Sequence, residues 1–209
     1  MRGILPADCN IDLPGGRDIP SVVAEVVRRV PLLADCEVDH VAFCVEAINF
    51  DRHVRRLSEQ LPAASIREYR VGDADSGMRT AEIRDAGRSL HLVLSAPLGD
   101  RGQIATFLSR TGREGLQHIA FSVPDVATSV KQLAAEGLCF VGGTDDPQLA
   151  VVEVEEDGTS LRQAFTEPLF GEFFVEIIER NGITEMRTEN IRALYEMNEA
   201  ARRVEAAPA

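Results

Sequence analysis

The amino-acid sequence predicts an α+β fold in which two βαβββ modules pair into one curved, barrel-like mixed sheet, followed by a C-terminal helix. Three observations predict it. The phrase Val38-Asp39-His40-Val41-Ala42-Phe43-Cys44-Val45 returns as Leu116-Gln117-His118-Ile119-Ala120-Phe121-Ser122-Val123, with His, Ala, Phe and Val in register. Each copy is followed by a helical stretch of similar length, residues 50–61 and 126–137, so the repeated unit is supersecondary structure and not an isolated motif. After each helix, alternating apolar and polar residues mark several strands in the same order.

Taken in order, residues 1 to about 18 hold Pro6, Pro14, Gly15 and Gly16 among polar residues and read as an irregular arm. From Ile19 to Leu33, Val22, Val23, Val26, Val27 and Val30 recur at helical spacing behind Pro20 and Ser21. Val38 to Val45 is a β-branched, alternating strand with His40, Ala42 and Cys44 on one face. A helix over Phe50 to Leu61 stops at Pro62, and strands follow at Ser65–Val71, Met78–Asp85 and Ser89–Ser95, the last two joined by a turn at Ala86-Gly87. Gly102 to Arg110 is a short helix, and the turn from Gly112 to Gly115 launches the second copy. There the expected elements are a strand at Gly115–Val123, a helix at Val126–Glu136, and strands at Leu138–Val141, Ala150–Glu156, Leu161–Thr166 and Phe173–Glu179. Thr188 is a good N-cap for a final amphipathic helix through Ile191, Leu194, Tyr195 and Asn198, which should lie over an open edge or a pocket mouth. The expected organisation is an arm and helix over 1–36, then one domain over 37–209: module one 37–98, module two 115–180, helix 188–203.

A chain of 209 residues with 44% hydrophobic content can bury a real core. No apolar run is long enough for a bilayer and no secretory pattern opens the sequence, so the expected location is cytoplasmic, with no membrane partner. Cys9, Cys36, Cys44 and Cys139 lack C-x-x-C spacing and read as reduced thiols. A net charge of -12, with no basic stripe, argues against nucleic acid. Glu153, Glu155, Glu156 and Asp157 read as a solvated strand edge and turn.

The chemistry concentrates on the repeat. Two equivalent imidazoles, His40 and His118, would approach each other if the modules pack about a pseudo-twofold axis. Glu176 is a lone carboxylate in the apolar strand Phe173-Phe174-Val175-Glu176-Ile177-Ile178. A buried unpaired carboxylate is costly, and coordination removes the cost; two imidazoles and one carboxylate form the facial set that leaves open positions on Fe(II). A strand histidine taken alone is more often a hydrogen-bonded core residue. His53, beside Arg52 and Arg55 on a helix, reads as surface; His91, in phase with Val93 and Ser95, is an alternative fourth ligand.

At these residues the chain resembles the catalytic C-terminal half of 4-hydroxyphenylpyruvate dioxygenase, in the vicinal oxygen chelate superfamily. The resemblance rests on Val38-Asp39-His40-Val41, on Gly112 through Ala120 (GREGLQHIA), on Leu161 through Pro168 (LRQAFTEP) and on Phe173 through Arg180 (FFVEIIER), which recur in the family's order. It implies an Fe(II) centre held by His40, His118 and Glu176, chelation of a 2-oxo acid, and O2 as co-substrate, with oxidative decarboxylation coupled to hydroxylation of the same molecule. It also implies that Gln117 and Gln163 orient the substrate, that Phe165 packs on its ring, that Thr80 and Ser95 line the pocket, and that Asn190 and Ile191 open a C-terminal gating helix. The chain departs from the family in lacking the N-terminal domain, in a shorter stretch between Gly137 and Gln163, in Ser95 where an amide is usual and in Ile191 where an aromatic is usual. These departures point away from 4-hydroxyphenylpyruvate itself. The expected function is an Fe(II)-dependent dioxygenase of a small 2-oxo acid or related chelating substrate, with a homodimer compatible. The alternatives are a metal-dependent isomerase, epimerase or lyase of the glyoxalase type, and a ligand-sequestering protein.

Overall fold

The structure, a computed structural model, describes residues 18–61, 64–87, 90–144 and 146–205, with side chains to residue 200. The arm expected at the N-terminus, Cys9 and the helix stop at Pro62 lie outside the described residues. Helix α1 (Ile19–Arg29) starts from Asp18, whose carboxylate accepts from the Ser21 backbone N–H. It ends short of the expected Leu33 because Pro31 cannot continue an α-helix and pushes Val30 out of helical geometry, leaving a separate 3-10 turn at Pro31–Leu33.

Module one follows as β1 (Glu37–Cys44), α2 (Phe50–Gln60), β2 (Ser65–Val71), β3 (Met78–Arg84) and β4 (His91–Pro97). Helix α3 (Gly102–Thr111) links it to module two, which is β5 (Gly115–Ser122), α4 (Val126–Ala135), β6 (Val152–Glu156), β7 (Thr159–Phe165) and β8 (Phe174–Asn181). Helix α5 (Thr188–Glu205) closes the order. The strand expected at Leu138–Val141 does not form: its Phe140 makes a single bridge to Thr166. A 3-10 turn at Pro147–Ala150 occupies the start of the strand expected from Ala150.

The eight strands among the described residues join one sheet in the order β2-β3-β4-β1-β5-β8-β7-β6. The centre is the antiparallel pair β1 and β5; β4 lies parallel to β1 as β8 lies parallel to β5, which is the pseudo-twofold relation the repeated phrase anticipated. Alternation then sorts the side chains. Val41, Phe43, Leu92, Leu94, Ile119, Phe121, Val175 and Ile177 point to the convex face and pack with α1, α2 and α4 through residues such as Val23, Phe50, Leu57 and Val130. A second apolar cluster lies on the concave face, where Cys44 and Met78 meet Ile104 and Phe107 of α3 and Ile191 and Tyr195 of α5. Helix α5 packs on both β2 and β6, the two edges of the sheet, so one helix spans the opening of the curl. The acidic run lies where expected, on the exposed edge strand β6 and the turn at Asp157-Gly158, with Glu153 paired to Arg162 and Glu156 to Arg187. Among the described residues, no helix is long and apolar enough to cross a membrane.

Candidate metal centre

Strands β1, β5 and β8 carry His40, His118 and Glu176 on the concave face. In the β1–β5 register, His40 faces Ala120 and His118 faces Ala42, so the imidazoles sit diagonally on one face, and Ala120 also pairs with Glu176 on β8. Small alanines between the functional side chains leave the rings room to converge. His40 Nε2 lies 3.3 Å from His118 Nε2 and 3.1 Å from Glu176 Oε2, and His118 Nε2 lies 3.3 Å from Glu176 Oε2. Metal–ligand bonds of about 2.1 Å at right angles put neighbouring donors about 3.0 Å apart. The three atoms therefore fit one face of an octahedron, and two neutral imidazoles with one carboxylate suit a divalent first-row ion.

A further layer holds these donors in orientation. His40 Nδ1 lies 2.8 Å from Asp39 Oδ1, and Asp39 in turn accepts two parallel bonds from Arg180, Nε to Oδ2 at 2.7 Å and Nη2 to Oδ1 at 2.8 Å. With its Nδ1–H donated to Asp39, His40 presents the Nε2 lone pair to the cluster. His118 Nδ1 lies 3.2 Å from Gln117 Oε1, and Gln163 Nε2 donates to Glu176 Oε1 at 2.6 Å, leaving Oε2 for the centre. Burial pushes the Glu176 carboxyl up, but the neighbouring imidazoles bring it down to about 2. Burial pushes His40 down, and Glu176 with Asp39 outweighs it, to about 9; His118 is lowered, chiefly by burial.

His91 does not join the triangle. Its Nε2 contacts Glu82 Oε1 at 2.9 Å and its Nδ1 is 3.6 Å from Asp39 Oδ1, with its ring centroid 5.0 Å from that of His40. It forms a second cluster with Asp39 and His40, in which Arg180 already engages Asp39. His53 is not a surface residue either: its side chain is 11% exposed and holds Glu114 at 2.8 Å.

A cavity with an empty volume of about 570 Å³, counting its mouth, opens onto His40, His118 and Glu176. Of the residues expected to bind substrate, Gln117, Phe165, Thr80, Ser95 and Ile191 line it, with Thr80 Oγ1 and Ser95 Oγ hydrogen-bonded at 2.9 Å. Gln163 and Asn190 do not. Gln163 is fully buried behind Glu176, positioning that carboxylate, and Asn190 turns away to the Leu161 carbonyl at 3.5 Å. Sequence reasoning missed Tyr69, Glu82, Gln103 and Phe174, which also line the cavity. A signal existed for two of them, since Glu82 shares strand parity with Thr80 and Phe174 with Glu176.

The profile of the Glyoxalase/Bleomycin resistance protein/Dioxygenase superfamily matches residues 39–150. A 4-hydroxyphenylpyruvate dioxygenase from Legionella pneumophila is 27% identical over 181 residues, covering 76% of this chain and 52% of its own length. A 4-hydroxyphenylpyruvate dioxygenase-like protein from Rattus norvegicus is 30% identical over 163 residues, covering 63% of this chain and 44% of its own length. Among solved structures, a triple mutant of 4-hydroxymandelate synthase from Streptomyces coelicolor superposes with a TM-score of 0.68 at 30% identity, covering 80% of this chain and 55% of that one. The chain spans about half the length of the curated relatives it matches. With the profile matching more than half of its residues and the paired-module sheet in place, the chain belongs to the Glyoxalase/Bleomycin resistance protein/Dioxygenase superfamily.

Proposed function

We propose that residues 37–209 act as a non-haem Fe(II)-dependent dioxygenase or hydroxylase of a small 2-oxo acid or a related chelating substrate, with His40, His118 and Glu176 as metal ligands. The observation that carries this reading is the triangle of Nε2, Nε2 and Oε2 at 3.1–3.3 Å facing a cavity. The likeness to proteins named 4-hydroxyphenylpyruvate dioxygenase and 4-hydroxymandelate synthase supports the 2-oxo acid and O2 as partners.

Bound Fe(II) would supply the chelation and electron transfer to O2 that side chains cannot. The protein's part is positional. Gln117 and the Thr80–Ser95 pair offer hydrogen bonds across the cavity, Phe165 and Phe174 offer ring faces with centroids 5.1 Å apart, and Ile191 and Leu194 of α5 cover the apolar side. Excluding water there strengthens every polar contact inside.

The test is oxygen uptake by anaerobically purified, Fe(II)-loaded protein against a panel of 2-oxo acids. Uptake coupled to CO2 release, lost in Glu176→Ala, is the expected result. Unchanged turnover in Glu176→Ala would discard the reading, and turnover without O2 on Co(II) or Ni(II) would replace it with glyoxalase-type chemistry.

A further inference from the structure

The two imidazoles of the centre stand among small side chains. His40 is opposed by Ala120 and followed on its own face by Ala42; His118 is opposed by Ala42 and followed by Ala120. Methyl groups that let the rings converge do nothing to fix their planes, and the χ2 torsion of histidine has broad wells, so a ring that turns carries Nε2 away from the other donors. At His40 the backbone adds little restraint, because the β1–β5 register slips between Val38 and His40 and the ladder is irregular where the side chain leaves it. A contact at Nδ1 holds each ring from behind, and the face of each ring needs a wall.

The strand on the outer side supplies that wall in each module. Phe174 pairs with His118 across β5 and β8, and its ring stacks on the imidazole with centroids 4.8 Å and planes 24° apart. Val41 pairs with Leu92 across β1 and β4, which sets His91 beside His40 in the equivalent place, with centroids 5.0 Å and planes 49° apart. Under the pseudo-twofold relation His91 therefore stands where module two has Phe174. Its nitrogens do not account for it there. Nδ1 is 3.6 Å from Asp39 Oδ1, too far for a hydrogen bond, and Nε2 approaches Glu82 Oε1 to 2.9 Å but off the hydrogen-bond direction. What a ring 6% exposed offers a neighbour 1% exposed is a flat, close-packed face.

We propose that His91 is a positioning residue for the metal centre: its ring holds the plane of His40, as the Phe174 ring holds that of His118, and so keeps Nε2 aimed at the ion. This rests on the reading of His40, His118 and Glu176 as metal ligands. The flat side chain is what the place requires, so phenylalanine can replace it and alanine cannot.

The test is Co(II) titration of the metal-free protein, following affinity and the visible absorption of the bound ion, which reports its coordination geometry, alongside thermal unfolding of the metal-free chain. His91→Ala binds Co(II) about tenfold or more weakly and with an altered spectrum, while His91→Phe stays within about threefold of the parent and keeps its spectrum. His91→Leu fills the volume without a flat face and behaves as His91→Ala does; it stands in for whichever of the two does not fold. A lower Tm in His91→Ala with the parental Co(II) affinity and spectrum makes the residue structural only and overturns the inference. A loss in His91→Phe as large as in His91→Ala, which assigns the effect to the nitrogens, overturns it too, as does parental affinity in His91→Leu. A parent that does not bind Co(II), or binds it as tightly after Glu176→Ala, overturns the metal-ligand reading and this inference with it.

Discussion

Removing the arginine that anchors Asp39 tests how far the centre depends on what lies behind it. Arg180 and Asp39 are 13% and 11% exposed and joined by two bonds of 2.7 and 2.8 Å. Arg180→Met keeps the stem and deletes the charge, leaving Asp39 inside with only histidine for company. Breaking a buried pair costs about 3–5 kcal/mol; the slight exposure favours the low end, about 3 kcal/mol, since solvent screens the stranded charge. For a domain of this size that lowers Tm by roughly 6–12 °C. Asp39 also accepts from His40 Nδ1, so its displacement loosens the ligand ring and weakens metal binding by about 10–100-fold. The assay is thermal unfolding with and without added Fe(II) or Co(II), together with metal titration. The double substitution Asp39→Leu with Arg180→Met should regain most of the stability, since no charge is left stranded, without regaining metal affinity. Equal Tm and equal metal affinity in Arg180→Met would refute the reasoning.

Three further outcomes follow from the same structure. The Glu82 carboxyl lies at about 2 in the folded chain against 4.5 for an unperturbed one; its contribution of about 3 kcal/mol is present above pH 4.5 and lost as pH falls towards 2, so denaturant unfolding of the parent and Glu82→Gln should converge in acid. Gln163→Leu strips Glu176 Oε1 of its donor, costing about 1–3 kcal/mol in denaturant unfolding and reducing metal affinity by about 10-fold or more in titration. Gly102→Ala would place a Cβ 2.0 Å from the Ser76 carbonyl oxygen at φ +86, whereas Gly112→Ala at φ +64 meets open space. By thermal unfolding the first should cost well over 2 kcal/mol and the second only about 1–2 kcal/mol.

What could be read from the residues follows what they repeat. His40 and His118 were visible because duplication marks them twice, and strand parity carried over directly to which side chains share the concave face. Glu176 stood out as a carboxylate where its neighbours on β8 are apolar. Glu82 escaped notice for the opposite reason: in the strand Met78–Arg84, where Arg79 and Arg84 flank it, a charge looks like solvated surface, although its parity with Thr80 marked the inward side. Gln163 and Asn190 show the limit of resemblance, which fixes a position along a strand or helix but not whether the side chain touches the cavity or the residue behind it. The turn at Pro31 was legible and misjudged, because valine spacing outweighed the proline that interrupts it. Phe140, a lone bridge, carries no periodic signal at all.

Helix α5 rests on both outer strands, β2 and β6, and supplies Ile191 and Leu194 to the cavity wall. During synthesis on the ribosome, the eight strands can emerge and curl, yet the chamber stays a trough until residues near 195 have cleared the exit tunnel. Until then the apolar residues of the concave face that α5 covers, Met78 and Ile104 among them, stay open to neighbouring nascent chains, an invitation to association. The segment that shuts the chamber is thus also the one that withdraws this apolar surface from water.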